Sequence, residues 1–135
     1  MYIDKLLEIC TSQDLGSAST ETVLGESSID LGAAKDLSKG KPLYMVITVE
    51  EAPTAGTSID FQVITDSVAT LASTPTVHTC TGAVAVGSLT LDREPIVLPI
   101  GNVLGVSEQF LGIQFVVVGA IVAGIFSVHI GFETP

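Results

Sequence analysis

His78-Thr79-Cys80 places an imidazole and a thiol two residues apart. In an extended strand that spacing puts both side chains on one face. Zinc could take them as two of its ligands, but a structural zinc site needs four, and the only other histidine is His129. As a nucleophile with its base, the pair lacks an orienting carboxylate recognisable in the sequence. The pair therefore reads as two ordinary strand residues.

The carboxylates are dispersed over Asp4, Asp14, Asp30, Asp36, Asp60, Asp66 and Asp92, and none falls in the spacing of a calcium loop. Glu50 and Glu51 are adjacent, and acid/base work on a glycoside needs two carboxyl groups facing one bond. Neighbours in an extended chain point to opposite sides, so a solvated loop is the reading taken for them. The glycines punctuate strands and form no phosphate cradle. There is no tryptophan, which weakens a sugar-binding platform. No catalytic, cofactor-binding or metal-binding residue is assigned, and the chain is expected not to be an enzyme.

The elements that carry these residues read as β. Leu43–Val49 alternates, with Leu43, Met45, Ile47 and Val49 on one face. Ser58–Thr65 alternates likewise, with Ile59, Phe61 and Val63 inward and Asp60 and Gln62 outward. Thr76–Val86 is a strand region interrupted at Gly82, and Ser88–Leu91 is a short piece. Ile96–Ile100 carries Pro99, which points to an edge or a bulge. Val23–Leu31 is a weaker strand. Loops are expected at Gly16–Thr22, Lys39–Pro42, Glu50–Thr57, Ser67–Pro75, Asp92–Pro95 and Gly101–Gly105.

Ile113–Ile130 is apolar enough to resemble a membrane helix, which needs about 20 such residues. It contains Gln114 and His129, is rich in Val, Ile and Phe, and breaks at Gly119–Gly124. It reads instead as two antiparallel strands, Phe110–Val118 and Gly124–Glu133, joined by a short turn. Strands apolar on both faces imply an interior position with an outer face covered by a neighbour.

Residues 1–15 are the only helix expected, from Ile3, Leu6, Leu7 and Ile9; the alternative is an extended N-terminal arm. Tyr2, Ile3, Leu6, Leu7 and Ile9 are the candidate partner contacts, because so many apolar groups would not be left in a free tail. Docking on the chain's own sandwich is the competing expectation. The opening MYIDKLLEIC lacks the basic start and continuous apolar run of a signal peptide. In all, seven or eight short strands make an all-β, jelly-roll-like sandwich, a single domain over 1–135.

The totals agree with a binding module. The chain is 47% hydrophobic and 15% charged, which leaves limited polar cover for its surface. Fifteen acids against five bases give a net charge of −10. That balance repels nucleic acid, because few cations can replace condensed counterions. No nucleic-acid or membrane partner is expected. Cys10 and Cys80 are too few for a disulfide scaffold; they read as reduced thiols, with a single bridge as the alternative.

An ordered string of short segments carries a resemblance. It runs from Met1-Tyr2-Ile3-Asp4-Lys5 and Ser12-Gln13 through Ile29-Asp30-Leu31-Gly32 and Gly40-Lys41-Pro42-Leu43-Tyr44. It ends with Ile96-Val97-Leu98-Pro99 and Phe110-Leu111-Gly112. In these the chain resembles the jelly-roll capsid cement, or decoration, proteins of tailed bacteriophages, of the Bordetella phage type. Ser67–Leu91 carries none of the resemblance. What it implies is a non-catalytic virion protein, made in the bacterial cytoplasm, that sits on the outer capsid surface and bridges major capsid protein subunits. A homo-oligomer is expected, a dimer ahead of a trimer. The rival expectations are a receptor- or carbohydrate-binding sandwich of a phage fibre or spike, and an accessory subunit of an enzyme.

Overall fold

The structure, a computed structural model, describes residues 8–30, 43–73, 75–100 and 110–131. Alternating apolar residues build two of its long strands. In β4 (Leu43–Glu51), Met45, Ile47 and Val49 are buried; in β5 (Ser58–Asp66), Ile59, Phe61 and Val63 are buried. The remaining strands are β1 (Glu8–Asp14), β2 (Thr22–Leu24), β3 (Ile29–Asp30), β6 (Thr76–Ala85), β7 (Ile96–Ile100), β8 (Phe110–Val118) and β9 (Ile125–Gly131).

Two antiparallel sheets result. One has the order β1-β9-β4-β7, the other β2-β8-β5-β6, with β3 also on β8. β2 and β3 are two pieces of one strand along β8: Val23 stands opposite Phe115 and Ile29 opposite Leu111. The piece between them bulges out at Gly25, whose N–H donates to the Ile113 carbonyl at 2.8 Å. With β2 and β3 counted as one strand, each sheet has four and the chain crosses between sheets as in a jelly roll. The expected all-β sandwich of about eight antiparallel strands is the fold observed.

The core lies between the sheets. Met45, Ile47, Leu98, Ile100, Val128 and Ile130 face it from one side, and Ile59, Val63, Leu111, Ile113 and Val117 from the other. Pro99 is exposed on β7, which pairs only with β4 among the described residues, so the proline sits on an edge where its missing N–H costs no ladder bond.

Three expectations are corrected. β8 and β9 are not a hairpin, because they lie in different sheets. The connection 119–124 crosses from one sheet to the other, held by Ile121 N–H to Ala18 O (2.8 Å) and Leu15 N–H to Gly124 O (2.8 Å). Both strands are central in their sheets, which is why they read as continuous apolar runs. Second, residues 8–14 are strand, not helix. Two register breaks against β9, with Ser12 at φ 53°, distort the alternation that would have announced the strand. An arm over 1–15 is thereby shortened: β1 belongs to the sheet, and residues 1–7 lie outside the described residues. Third, Val86–Ser88 forms a single 3-10 turn, and no strand follows it before β7. The turns expected at Lys39–Pro42 and Gly101–Gly105 lie outside the described residues.

Candidate functional site

β6 positions the His78/Cys80 pair, and it does so with two breaks in register. Val63 stands opposite Thr79 but Ile64 opposite Val77, so His78 is an extra residue. A second extra residue lies at Thr81-Gly82, where Gly82 adopts φ 75°, a conformation glycine takes without strain. The His78 ring is hydrogen-bonded to the buried Thr65 hydroxyl, Nε2 to Oγ1 2.7 Å. Cys80 is opposite Gln62 and exposed, on the outer face. The bulge therefore separates two side chains that plain alternation would have put on one face. Among the described residues, no three of His, Cys, Asp and Glu gather to hold a metal.

The outer face of this sheet carries an amide ladder instead. The Gln114 amide donates to Gln62 Oε1, and the Gln62 amide donates to Asp60 Oδ2 at 3.0 Å. The three residues belong to the adjacent strands β8 and β5, at positions that alternate away from the core. Amides that are at least partly buried, as these are, stay in place because each lost bond leaves a desolvated partner. The outward position of Gln62 was visible in sequence, but its pairing with Gln114 depends on a register that a single chain does not announce.

The 67–73 loop closes one end of that face. Asp66, fully buried, accepts from Ser67 N–H (2.6 Å) through Oδ1 and from Ser73 N–H (2.9 Å) through Oδ2. The Ser28 hydroxyl donates to Ala69 O at 2.8 Å. Leu71, at φ 61° and with no exposed surface, lies over Gly112, where an added Cβ would come within 2.4 Å of Leu71 Cδ1. Gly112 inside an apolar strand was the available signal for such a close approach.

On the other sheet, Glu50 is the extra residue at a break in the β4–β9 register, and both Glu50 and Glu51 are exposed. Glu50 borders a recess of 280 Å³ with Thr11, Thr48, Ser127 and His129, the last buried. Beside it, Cys10 is buried and its thiol donates to Gln13 Oε1 at 2.9 Å. Burial pushes that thiol up to about 12. Cys10 and Cys80 are both free.

Of the candidate partner contacts, Tyr2, Ile3, Leu6 and Leu7 lie outside the described residues. Ile9 is 1% exposed and packs in the chain's own core, so it presents no surface to a partner. The edge of β1 is held by the neighbouring sheet: Glu26 accepts from Thr11 N–H, Ser27 donates to Ile9 O, and Gln13 Nε2 donates to Leu24 O at 2.9 Å.

The fold and these surfaces define a jelly-roll β-sandwich, a class that includes viral capsid and lectin domains. Within that class the assignment is specific. The Bbp16 family model matches residues 14–130, from the end of β1 to Ile130 of β9. The chain belongs to the Bbp16 family and is a phage-related protein. No curated protein matches it.

Proposed function

We propose that this protein binds the outer surface of a phage capsid and stabilises the lattice of the major capsid protein. The observation that carries this reading is the phage-family match, which runs through the sandwich from the end of β1 to β9 and is not confined to a pocket or a loop. The charge supports an outer position. At a net charge of −10, a surface facing packaged DNA would be repelled by phosphates. The mechanism is clamping at several points: each contact is modest, and once one is made the others form at a high effective concentration. Segment 1–7, with Tyr2, Ile3, Leu6 and Leu7, supplies one such contact.

The test is co-sedimentation of the purified protein with capsid shells that lack it, followed by heating of decorated and bare particles. Saturable binding and a higher disruption temperature are expected. Failure to bind shells, together with binding to host-surface glycans, would move the chain to a fibre or spike and overturn the reading.

A further inference from the structure

β1 ends at Asp14 and β4 at Glu51, both opposite Ile125, while β8 ends at Val118 opposite Ser58. The links 15–21, 52–57 and 119–124 therefore meet at one end of the sandwich. The last of them crosses that end with alternating exposure: Ile121 is buried, and Val118, Ala120 and Val122 face outward. Val122, at 65% exposed, and Val118, at 43%, are two of the five large apolar side chains exposed among the described residues. A single exposed valine is ordinary, but three apolar residues at alternate positions make a ridge of the kind that marks a contact surface.

The ridge is pinned on both sides. Ile121 N–H donates to Ala18 O (2.8 Å), Gly119 N–H to Thr20 Oγ1 (3.0 Å) and Thr57 N–H to Val118 O (2.9 Å). A partner would meet a backbone that is already ordered. Acids flank it, with Glu51 on one side and Asp14 and Glu21 on the other. A recess of 290 Å³ is lined by Asp14, Ser17, Glu21 and Thr22. It adjoins the ridge, because a Cβ built on Gly16 would meet both Asp14 Oδ1, at 2.8 Å, and Val122 O, at 2.9 Å. The loop orients its own carboxylates: Asp14 Oδ1 accepts from Gly16 N–H at 2.7 Å, and Glu21 Oε1 accepts from Ser19 N–H at 3.2 Å. Each keeps a second oxygen for a partner. Arg93 is the only Lys or Arg among the described residues, and its guanidinium donates to Ser88 O at 3.1 Å.

We infer that this ridge and the acidic recess beside it dock a basic, apolar segment of the shell protein. A Lys or Arg side chain enters the recess between Asp14 and Glu21, and an aliphatic or aromatic side chain packs on Val118 and Val122. The inference rests on the capsid reading and adds to it the docking face and the chemistry of the partner. Charge selects the occupant. A second copy, itself at −10, would set negative charge against the flanking carboxylates, as would nucleic acid or anionic lipid. A cationic segment gains from those carboxylates, and the ridge gives it apolar area to bury.

The experiment measures binding of the full chain to bare capsid shells by co-sedimentation over a salt series. Val118→Ser with Val122→Ser removes the apolar contact and should raise the Kd about tenfold. Glu21→Gln with Glu51→Gln keeps an acceptor oxygen at each position and should raise the Kd about tenfold at low salt, with a flatter salt dependence. Thr70→Lys with Ala72→Lys changes the net charge by the same amount at exposed positions of the 67–73 loop, at the opposite end of β5 and β8. That control should leave the Kd within about twofold. An unchanged circular-dichroism spectrum and melting temperature control for folding. Ridge and carboxylate variants that bind shells as tightly as the wild type would overturn the inference and leave the capsid reading standing. A wild-type protein that does not bind shells would overturn both. Ridge variants that lose self-association while keeping their shell affinity would make the ridge a contact between copies, and would equally overturn the inference.

Discussion

Phe126 of β9 stands edge-on to Phe61 of β5, with ring centroids 5.5 Å apart and planes at 69°, and so joins the two sheets across the core. Phe115 of β8 completes the cluster, 5.7 Å from Phe61. All three rings are fully buried. Phe126→Ala would remove the β1-β9-β4-β7 sheet's share of this contact and leave a cavity between rigid walls. The expected loss is about 3–5 kcal/mol, read from the urea midpoint at constant m-value. A loss under about 1 kcal/mol would mean that the two sheets are held together elsewhere.

Leu71 and Gly112 should be energetically coupled. Gly112→Ala puts a methyl group into the Leu71 side chain and is expected to cost about 1–3 kcal/mol. In a Leu71→Ala background the same methyl has room. The double variant should therefore be more stable than the sum of the single losses by about 1 kcal/mol or more. Strict additivity would show that the 67–73 loop does not seat on β8.

The strands were legible where side-chain alternation and pairing register agree. β4 and β5 keep a strict period of two through most of their length, and a single proline narrows β7 to an edge or a bulge, of which the structure shows the edge. Legibility failed where a strand carries an extra residue. In β1 and β6 the bulges shift the period midway, so residues 8–14 resembled a helix and His78 was put on the face of Cys80. The β8–β9 crossover was missed for another reason. A hairpin and an inter-sheet connection need the same few small residues, and the choice between them is made by partners far away in sequence, Leu15 and Ala18. The β6 edge was the least informative part of the sequence, because an uncharged run shows its position only once it is seen in a sheet.

The Cys10 thiol makes stability fall at high pH. Its folded-state value is raised to about 12 from 9.0. Above pH 9 the unfolded chain gives up this proton while the folded one keeps it. The stabilisation is thus complete below pH 9 and is lost as pH rises toward 12, at about 1.4 kcal/mol per pH unit. Cys10→Ala should flatten that slope between pH 9 and 11 in denaturant titrations. At pH 8, a disulfide reagent should modify Cys80 at once and Cys10 only on unfolding. Equal reactivity of the two thiols would contradict the burial of Cys10.

Two N-terminal truncations should separate core from contact. Removing residues 1–15 takes away β1 and with it Ile9, Cys10 and Leu15, which are at most 1% exposed. It also strips β9 of one neighbour and exposes its ladder. Burial of one large aliphatic side chain is worth about 1.5–3 kcal/mol, so the loss of Ile9 and Leu15 together approaches the whole stability of a small domain, about 5–15 kcal/mol. This truncation should abolish cooperative unfolding. Removing residues 1–7 leaves every described strand in place and should preserve both the β circular-dichroism signal and a cooperative melt. Under the capsid reading, the shorter truncation should weaken shell binding, because Tyr2, Ile3, Leu6 and Leu7 are lost as contacts. A folded 1–7 truncation that binds shells as tightly as the full chain would remove this segment from the interface and leave the sandwich surface to make the contact alone.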